Sequence, residues 1–365
     1  MSKKSTNYEL LRILLTLFIP IYHWILYNGL FYAPDSLNSV LSLIIFTGVP
    51  FSCLYAFIAM SSYFLIKKKY SWSLKKVLIF AALAITLFVF KYVFIHVLYM
   101  GVDMYSFIYD FFIHGAWWYV YPYVLLMIVY PLLNRFIYRS RMGVLFIATL
   151  LSGIWFIINS YHNDTRFGND CVMFLFIYLL MGCLERHKEQ RDFYKTHKNI
   201  ILISVYVLGV VIFTGLCIYY KIFATTLSDL EVEKIIQLLH GRYNMFGLIC
   251  GIVIFTLFRG IEVPYKPIIH KMSKLTLYVF LLHETVMSVF WRYEIKGVEG
   301  LAYLPVWQYF LLIIIYMILC ISVAFLANKT YDKFAAPLWE KVITRLCETG
   351  LVKRLENSYT KLMEK

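Results

Sequence analysis

Two ionisable residues, Arg12 and His23, lie in one apolar run near the N-terminus. They are eleven positions apart, about three turns of an α-helix, so their side chains lie on one face, about 16 Å apart along the axis. A fixed positive charge aligned with a deep imidazole suits a long ligand with an anionic head and a reactive end. The alternative is an interfacial anchor at Arg12 and a hydrogen-bonded packing residue at His23.

His283 and Glu284 form a second polar feature, in the middle of a late apolar run. Ionisable side chains are costly in hydrocarbon, so both residues suggest a functional site in the interior of a helix bundle. Neighbouring helix positions point about 100° apart, and we therefore expect only one of the two to face a given site.

The composition indicates where such helices lie. The chain has 365 residues, of which 61% are hydrophobic and 15% are charged, against about 25% charged in soluble domains. This excludes an ordinary water-soluble fold. Apolar runs of spanning length predict an all-α polytopic integral membrane protein with about ten transmembrane helices, at residues 10–31, 40–66, 77–99, 117–134, 143–159, 170–184, 200–220, 243–258, 273–291 and 306–328.

The loop charges predict the orientation. With both termini cytoplasmic, the cytoplasmic segments hold 28 Lys and Arg residues and the outer loops hold six, as the positive-inside rule requires. The net charge of +14 is then explained by the excess of Lys and Arg in the cytoplasmic segments of a protein in the lipid bilayer, and we expect no nucleic-acid partner. The seven cysteines are scattered without paired spacing, which favours apolar packing over a metal site, so no metal is expected.

The chain divides into a membrane domain, residues 1–328, and a cytoplasmic tail, residues 329–365. In the tail, Pro337 and Gly350 bracket a segment in which apolar Leu338, Val342 and Leu346 alternate with charged residues. This pattern predicts a short amphipathic helix at the membrane surface. The alternative is a disordered basic tail.

Four segments resemble the acyltransferase-3 family of integral membrane acyltransferases, in the family's order. The first, NYELLRILLTLFIPIYHW, has the spacing of a basic residue, ten residues and a histidine. The second, VPFSCLYAFIAMSSYFLIKKK, has a serine in place of the family's glycine before Tyr63. The others are WWYVYPYVLLMIVYPLLNRFIYRSR, with Trp118 and Pro131 in the matching places, and KMSKLTLYVFLLHETVM, which ends the pattern at His283.

The resemblance implies an enzyme of the plasma membrane, in many members bacterial. It would move an acyl group, usually acetyl, from cytoplasmic acyl-CoA to a hydroxyl of a cell-surface polysaccharide or its lipid-linked precursor. Acyl-CoA is then a donor substrate, and no permanently bound cofactor is expected. The acceptor glycan, the hydroxyl, the acyl chain and the oligomeric state do not follow from the sequence.

The resemblance and the residues meet at His23. An imidazole can take a proton from the acceptor hydroxyl as it attacks a thioester, or it can carry the acyl group transiently. His283 would orient His23 or stabilise the oxyanion. The CoA phosphates would be bound by arginines, which make bidentate contacts: Arg12, Arg135, Arg139 and Arg141. For the last three, ordinary positive-inside charge explains the sequence equally well.

Two other classes of protein remain. A transporter or flippase for a polysaccharide precursor or small metabolite also needs many spans and embedded polar residues. The absence of an evident inverted repeat and the Arg12–His23 spacing disfavour it. A noncatalytic membrane subunit has no need for aligned ionisable groups.

Overall fold

The structure, a computed structural model, describes residues 6–28, 36–69, 72–99, 119–162, 167–187, 192–223, 244–292 and 298–364. Over these ranges it is all helical, without a β-strand. In chain order the α-helices are α1 (Thr6–Tyr27), α2 (Leu37–Gly48), α3 (Cys53–Lys67), α4 (Leu74–Tyr99), α5 (Val120–Arg139), α6 (Met142–His162), α7 (Phe167–His187), α8 (Asp192–Phe223), α9 (Met245–Arg259), α10 (Pro267–Arg292), α11 (Val298–Ala302), α12 (Val306–Thr330), α13 (Ala336–Glu348) and α14 (Gly350–Glu364).

Within the described ranges, seven helical segments are long and apolar enough to cross a membrane: Thr6–Leu26, Leu37–Lys67, Leu74–Phe94, Val120–Arg139, Gly168–His187, Asn199–Tyr219 and Val306–Glu348. The predicted number of about ten spans is therefore not confirmed. α9 has only 15 residues, about 22 Å of helix, and α10 carries several charged residues. The orientation with both termini cytoplasmic stays a prediction.

Apart from the end residues Asn28, Tyr119 and Asn244, each predicted apolar run ends and begins in helix as far as the structure describes it; positions 29–31, 117–118 and 243 lie outside the described residues. The run 40–66 is not one continuous helix, however. α2 ends at Gly48, a 3₁₀ turn covers Pro50–Ser52, and α3 begins at Cys53. Proline has no N–H and its ring clashes with the preceding turn, which explains the interruption.

The chain forms two compact units. The first comprises Met1–Phe57, Val93–Gly101 and Phe193–Asn328, and the second comprises Ile58–Tyr92, Val102–Asp192 and Lys329–Lys365. In the first unit α1 packs along α10 and also against α9. The buried amide of Asn38 donates to the carbonyls of Leu301 and Leu304 at 3.0 and 2.7 Å, and the hydroxyls of Ser42 and Tyr309 are 2.6 Å apart. Such hydrogen bonds specify helix pairing where apolar contacts with lipid are as favourable as those with protein.

Two glycines on α9 allow a close backbone approach in the first unit. A Cβ on Gly251 would lie 2.7 Å from the carbonyl oxygen of Ser52 and 2.8 Å from the backbone nitrogen of Ala56. A Cβ on Gly247 would lie 2.8 Å from the carbonyl oxygen of Phe51. The two glycines are four residues apart, the small-residue spacing typical of tightly packed membrane helices.

We expect Gly251→Ala to destabilise the protein by about 1–3 kcal/mol, because the neighbouring atoms are backbone and cannot move aside cheaply. The matched control is Gly215→Ala on α8, where a Cβ meets nothing within 4 Å. There the higher helix propensity of alanine should raise stability by up to about 1 kcal/mol. Thermal unfolding of the purified variants in detergent measures both changes, and equal stability of the two variants would contradict the packing described.

In the second unit, the buried side chain of Asn134 on α5 joins two other helices. Its amide donates to the carbonyls of Leu65 and Lys69 at 3.0 and 2.6 Å, and its oxygen accepts from the hydroxyl of Tyr178 at 2.6 Å. Lys69 has a φ of 52°, the left-handed conformation that often follows the last turn of a helix. Asn134 thus adds a donor to the Leu65 carbonyl, which also accepts from the N–H of Lys68 at 3.2 Å, and supplies one to the Lys69 carbonyl just beyond the end of α3.

α12 continues through a π-helical turn, Tyr331–Ala335, into α13. The segment predicted to form the tail helix is helical in α13, but it is continuous with the preceding helix, and the second tail helix, α14, was not predicted. Leu338, Val342 and Leu346 form an exposed apolar face on α13. Its location at a membrane surface stays a prediction, as does the division of the chain at residue 328.

The tail helices pack on the second unit through specific side chains. The indole N–H of Trp339 donates to the hydroxyl of Thr86 at 2.9 Å. The hydroxyl of Tyr359 donates to the carbonyl of Ile128 at 2.7 Å, and the carboxylate of Glu356 accepts from a backbone N–H at the start of α4. These contacts hold α13 and α14 in place on the helices of this unit.

Candidate functional site

The structure brings His23 and His283 together in the first unit. His23 is half-buried on α1, and His283 is buried on α10. The Nδ1 atom of His23 forms a hydrogen bond with the Nε2 atom of His283. The ring planes differ by only 14° and the ring centroids are 4.7 Å apart. Two of the residues that the sequence predicts to be functional are thus direct neighbours, although 260 positions separate them.

The second nitrogen of His283 sets the direction of this hydrogen bond. His283 Nδ1 lies 2.7 Å from the carbonyl oxygen of Phe280 and 3.2 Å from that of Val279. A carbonyl oxygen only accepts, so Nδ1 carries the proton of a neutral His283 and its Nε2 is the acceptor. His23 must therefore donate from Nδ1. In this tautomer the basic lone pair of His23 is on Nε2.

Aromatic side chains fix the backbone on both sides of the pair. The hydroxyl of Tyr316, on α12, donates to the carbonyl of His283 at 3.3 Å. The ring of Tyr316 also packs on fully buried Trp24, with ring centroids 5.1 Å apart. On the other side of His23, the ring of Tyr22 stacks on Phe46 at 5.0 Å. α12 therefore contacts both histidine-bearing helices next to the pair.

Glu284 also reaches the histidine pair. One ligand atom from each of His23, His283 and Glu284 lies within 4.8 Å of the other two. The expectation that only one of the adjacent residues faces a given site is therefore wrong, because atoms of both His283 and Glu284 lie close to His23. Two imidazoles and a carboxylate could hold a zinc or iron ion. The absence of a metal, expected from the sequence, stays a prediction.

The other end of α1 carries Arg12, which is half-buried. One turn earlier, the carboxylate of Glu9 lies 2.7 Å from Nδ1 of His270 on α10. Among the described residues, the Arg12 guanidinium has no hydrogen bond or ion pair. Because the acid one turn away is engaged by His270, Arg12 can bind an anion without first breaking an internal ion pair.

Thr16 is a residue that the sequence analysis missed. It lies four positions after Arg12 and seven before His23, on the same helix face. Its side chain is 2% exposed, and within the described ranges its hydroxyl has no hydrogen-bond partner. Pro20 lies inside α1 and lacks the N–H that would pair with the Thr16 carbonyl. The signal was available, since a third polar residue follows the spacing of the other two.

A family model described as an acyltransferase domain matches residues 6–328. The chain belongs to the acyltransferase-3 family. The match runs from the start of α1 almost to the end of α12 and confirms the resemblance found in the sequence. No curated protein and no solved structure matches the chain. The family and the apolar helices together support a multi-pass membrane acyltransferase.

The remaining predicted residues of this acyltransferase lie in the second unit. Arg135 is half-buried and Arg139 is exposed on α5, and exposed Arg141 follows the helix. Their binding of CoA phosphates stays a prediction. Trp118, part of the resemblance, lies outside the described residues.

Proposed function

We propose that the protein is a plasma-membrane O-acyltransferase. It transfers an acyl group, usually acetyl, from cytoplasmic acyl-CoA to a hydroxyl of a cell-surface polysaccharide or of its lipid-linked precursor. The observation that carries this proposal is the ordered histidine pair, in which His283 fixes the tautomer and orientation of His23. Membership of the acyltransferase-3 family supports acyl transfer as the reaction.

In the proposed reaction, His23 is the general base. A neutral hydroxyl is a poor nucleophile, so Nε2 of His23 takes its proton while the oxygen attacks the thioester carbonyl. The new C–O bond forms, the C–S bond breaks, and the leaving sulfur takes the proton back from His23. The products are the ester and the CoA thiol.

His283 acts as a positioning residue. Its Nε2 accepts a hydrogen bond from the Nδ1–H of His23. This bond keeps the His23 imidazole in its orientation and stabilises the positive charge of His23 after His23 takes the substrate proton. A base oriented by a third group is the usual arrangement in acyl transfer by hydrolases. The backbone carbonyl of Phe280 in turn accepts a hydrogen bond from Nδ1 of His283 and so holds the His283 ring in place.

Arg12 binds the anionic end of the donor. In regular helix it lies about 16 Å from His23, and its planar guanidinium matches phosphate oxygens in pairs. The hydroxyl of Thr16, between the two, can donate to an amide carbonyl in the arm of CoA that joins the phosphates to the thioester. Arg135, Arg139 and Arg141 add positive charge for the same phosphates.

We expect His23→Ala to lower acyl transfer by about 10²–10⁴-fold while the protein stays folded, since a general base typically contributes that much. His283→Ala should lower the rate less. His283→Gln should recover part of the rate, because its amide oxygen can accept from His23. Purified variants assayed with radiolabelled acetyl-CoA give the measurement.

The matched control for these variants is His187→Ala, an exposed histidine at the end of α7. Near-normal transfer by His23→Ala would remove His23 from the mechanism. An acyl–histidine adduct, detected by mass spectrometry after donor alone is added, would replace the general base with an acyl carrier.

Arg12→Ala should weaken acyl-CoA binding roughly 10- to 150-fold, the effect of losing a charge-assisted contact of about 1.5–3 kcal/mol. Arg12→Lys should recover only part of it, because a point charge replaces the planar fork. A titration of a nonreactive acyl-CoA analogue measures binding, with Lys353→Ala on the exposed side of α14 as the control. If the parent protein binds no acyl-CoA analogue, the proposed function is wrong and transport becomes the better explanation.

Thr16→Val should weaken binding of the same analogue by about two- to tenfold, the usual net contribution of one neutral hydrogen bond. It should not lower the thermal stability of the ligand-free protein, since the hydroxyl has no partner there. Thr16→Ser, which keeps the hydroxyl, is the control. Unchanged binding by Thr16→Val would show that the hydroxyl does not contact the donor.

A further inference from the structure

The second unit contains a surface cavity of about 180 Å³ at the start of α4. Its wall combines two lysines, two aromatic residues and a hydroxyl with an apolar floor, from Leu65, Lys68, Trp72, Ser73, Lys76, Val77, Met127 and Tyr130. Lys68 and Lys76 are both exposed. The cavity is separate from the histidine pair, whose residues belong to the first unit.

The aromatic wall of the cavity is held in place by hydrogen bonds and ring packing. The indole N–H of Trp72 donates to the carbonyl of Met127 at 3.0 Å. The ring of Trp72 also packs against the ring of Tyr359 on α14, at 4.5 Å between centroids. Next to it, the carboxylate of Glu356 accepts from the N–H of Leu74 at 3.1 Å. The cavity is thus a formed part of the fold.

The lysines near the cavity differ in whether a carboxylate lies close to them. Lys67 pairs with Glu185 at 2.9 Å, and Lys75 approaches Glu340 at 3.7 Å. Lys68 and Lys76, which line the cavity, have no carboxylate within 4 Å among the residues that the structure describes. Partial desolvation of Lys68 against the cavity wall lowers its pKa, although its side chain reaches solvent, and the nearby charge of Lys76 lowers it further. Two like charges that line one cavity are stabilised by an anion bound beside them.

We propose that this cavity binds a phosphate group, with Lys68 and Lys76 as its charged contacts. Two ammonium groups and the Ser73 hydroxyl supply several donors to the phosphate oxygens. The indole of Trp72 and the floor of Leu65, Val77 and Met127 suit the less polar part of the same ligand. This site goes beyond the proposed acyl transfer and does not depend on it.

The phosphate has two possible sources, a soluble phosphate compound or the head group of an anionic phospholipid. The cavity lies where α4 begins, and α4 is one of the membrane-spanning candidates, so both sources are within reach of a protein in a bilayer. The shared chemistry is an anionic phosphate group, and two arms of one experiment separate the sources.

The soluble arm uses the full-length protein in phosphatidylcholine nanodiscs, titrated with inorganic pyrophosphate by calorimetry. The lipid arm uses nanodiscs in which part of the phosphatidylcholine is replaced by phosphatidic acid, and native mass spectrometry counts the phosphatidic acid that stays bound after release. Each arm compares the parent with Lys68→Gln, Lys76→Gln and the double variant. Lys75→Gln is the matched control, because it removes a neighbouring charge that does not line the cavity.

We expect binding in one arm to weaken at least about threefold in each single variant and about tenfold in the double variant, as for a partly exposed charge contact. Lys75→Gln should bind like the parent, and Lys76→Arg should keep binding. The two single variants should be as stable as the parent or more stable, because a like-charge repulsion is removed.

Loss of pyrophosphate binding assigns the site to soluble phosphates, and loss of retained phosphatidic acid assigns it to lipid. The proposal is overturned if neither probe binds the parent, or if the Lys68 and Lys76 variants bind as Lys75→Gln does. Neither readout uses acyl transfer, so failure of this proposal leaves the proposed function standing, and the reverse also holds.

Discussion

A histidine inside a bundle of apolar helices must form hydrogen bonds, because hydrocarbon offers it none. In this protein the requirement is met by a second histidine, and the bond between His23 and His283 joins α1 to α10 in the first unit. The carbonyl of Phe280 occupies the remaining polar atom of His283. The same constraint explains why Asn38 and Ser42 find polar partners when α2 packs. In such a bundle, polar contacts decide which helices pair.

The parts of the site that follow from local periodicity could be predicted from the sequence. The positions of Arg12 and His23 on one face need only the helical repeat, and α1 is continuous through both. The prediction that His283 acts together with His23 came from the resemblance to a family and from the cost of polar groups in lipid. Which nitrogen faces which could not be predicted, because it depends on carbonyls that are set by the backbone of α10.

The rest of the fold depends on features that an apolar run does not record. A window of hydrophobic residues continues across Pro50, although the backbone changes there from α to 3₁₀ geometry. α9 is short and α10 carries several charged residues, so neither is both long and apolar enough to count as a candidate membrane span, although each contains a predicted apolar run. The close approach at Gly251 requires knowing that Ser52 lies opposite. This close approach is a property of three-dimensional packing, and spacing alone does not contain it.

Under the positive-inside rule a lysine contributes to orientation wherever in a cytoplasmic loop it lies. The rule therefore does not explain why one lysine forms an ion pair with a carboxylate while its neighbour forms none. The second unit makes that distinction. Lys67 and Lys75 have acids within reach, and Arg186 donates to the carbonyls of Ile137 and Ser140, both at 2.7 Å. Arg186 thus donates to carbonyls at the end of α5, and Lys75 contacts Glu340 on the tail helix α13. Lys68 and Lys76, which have no carboxylate within 4 Å among the described residues, line one cavity with an ordered indole beside them, and it is this arrangement, beyond the total charge, that points to a ligand.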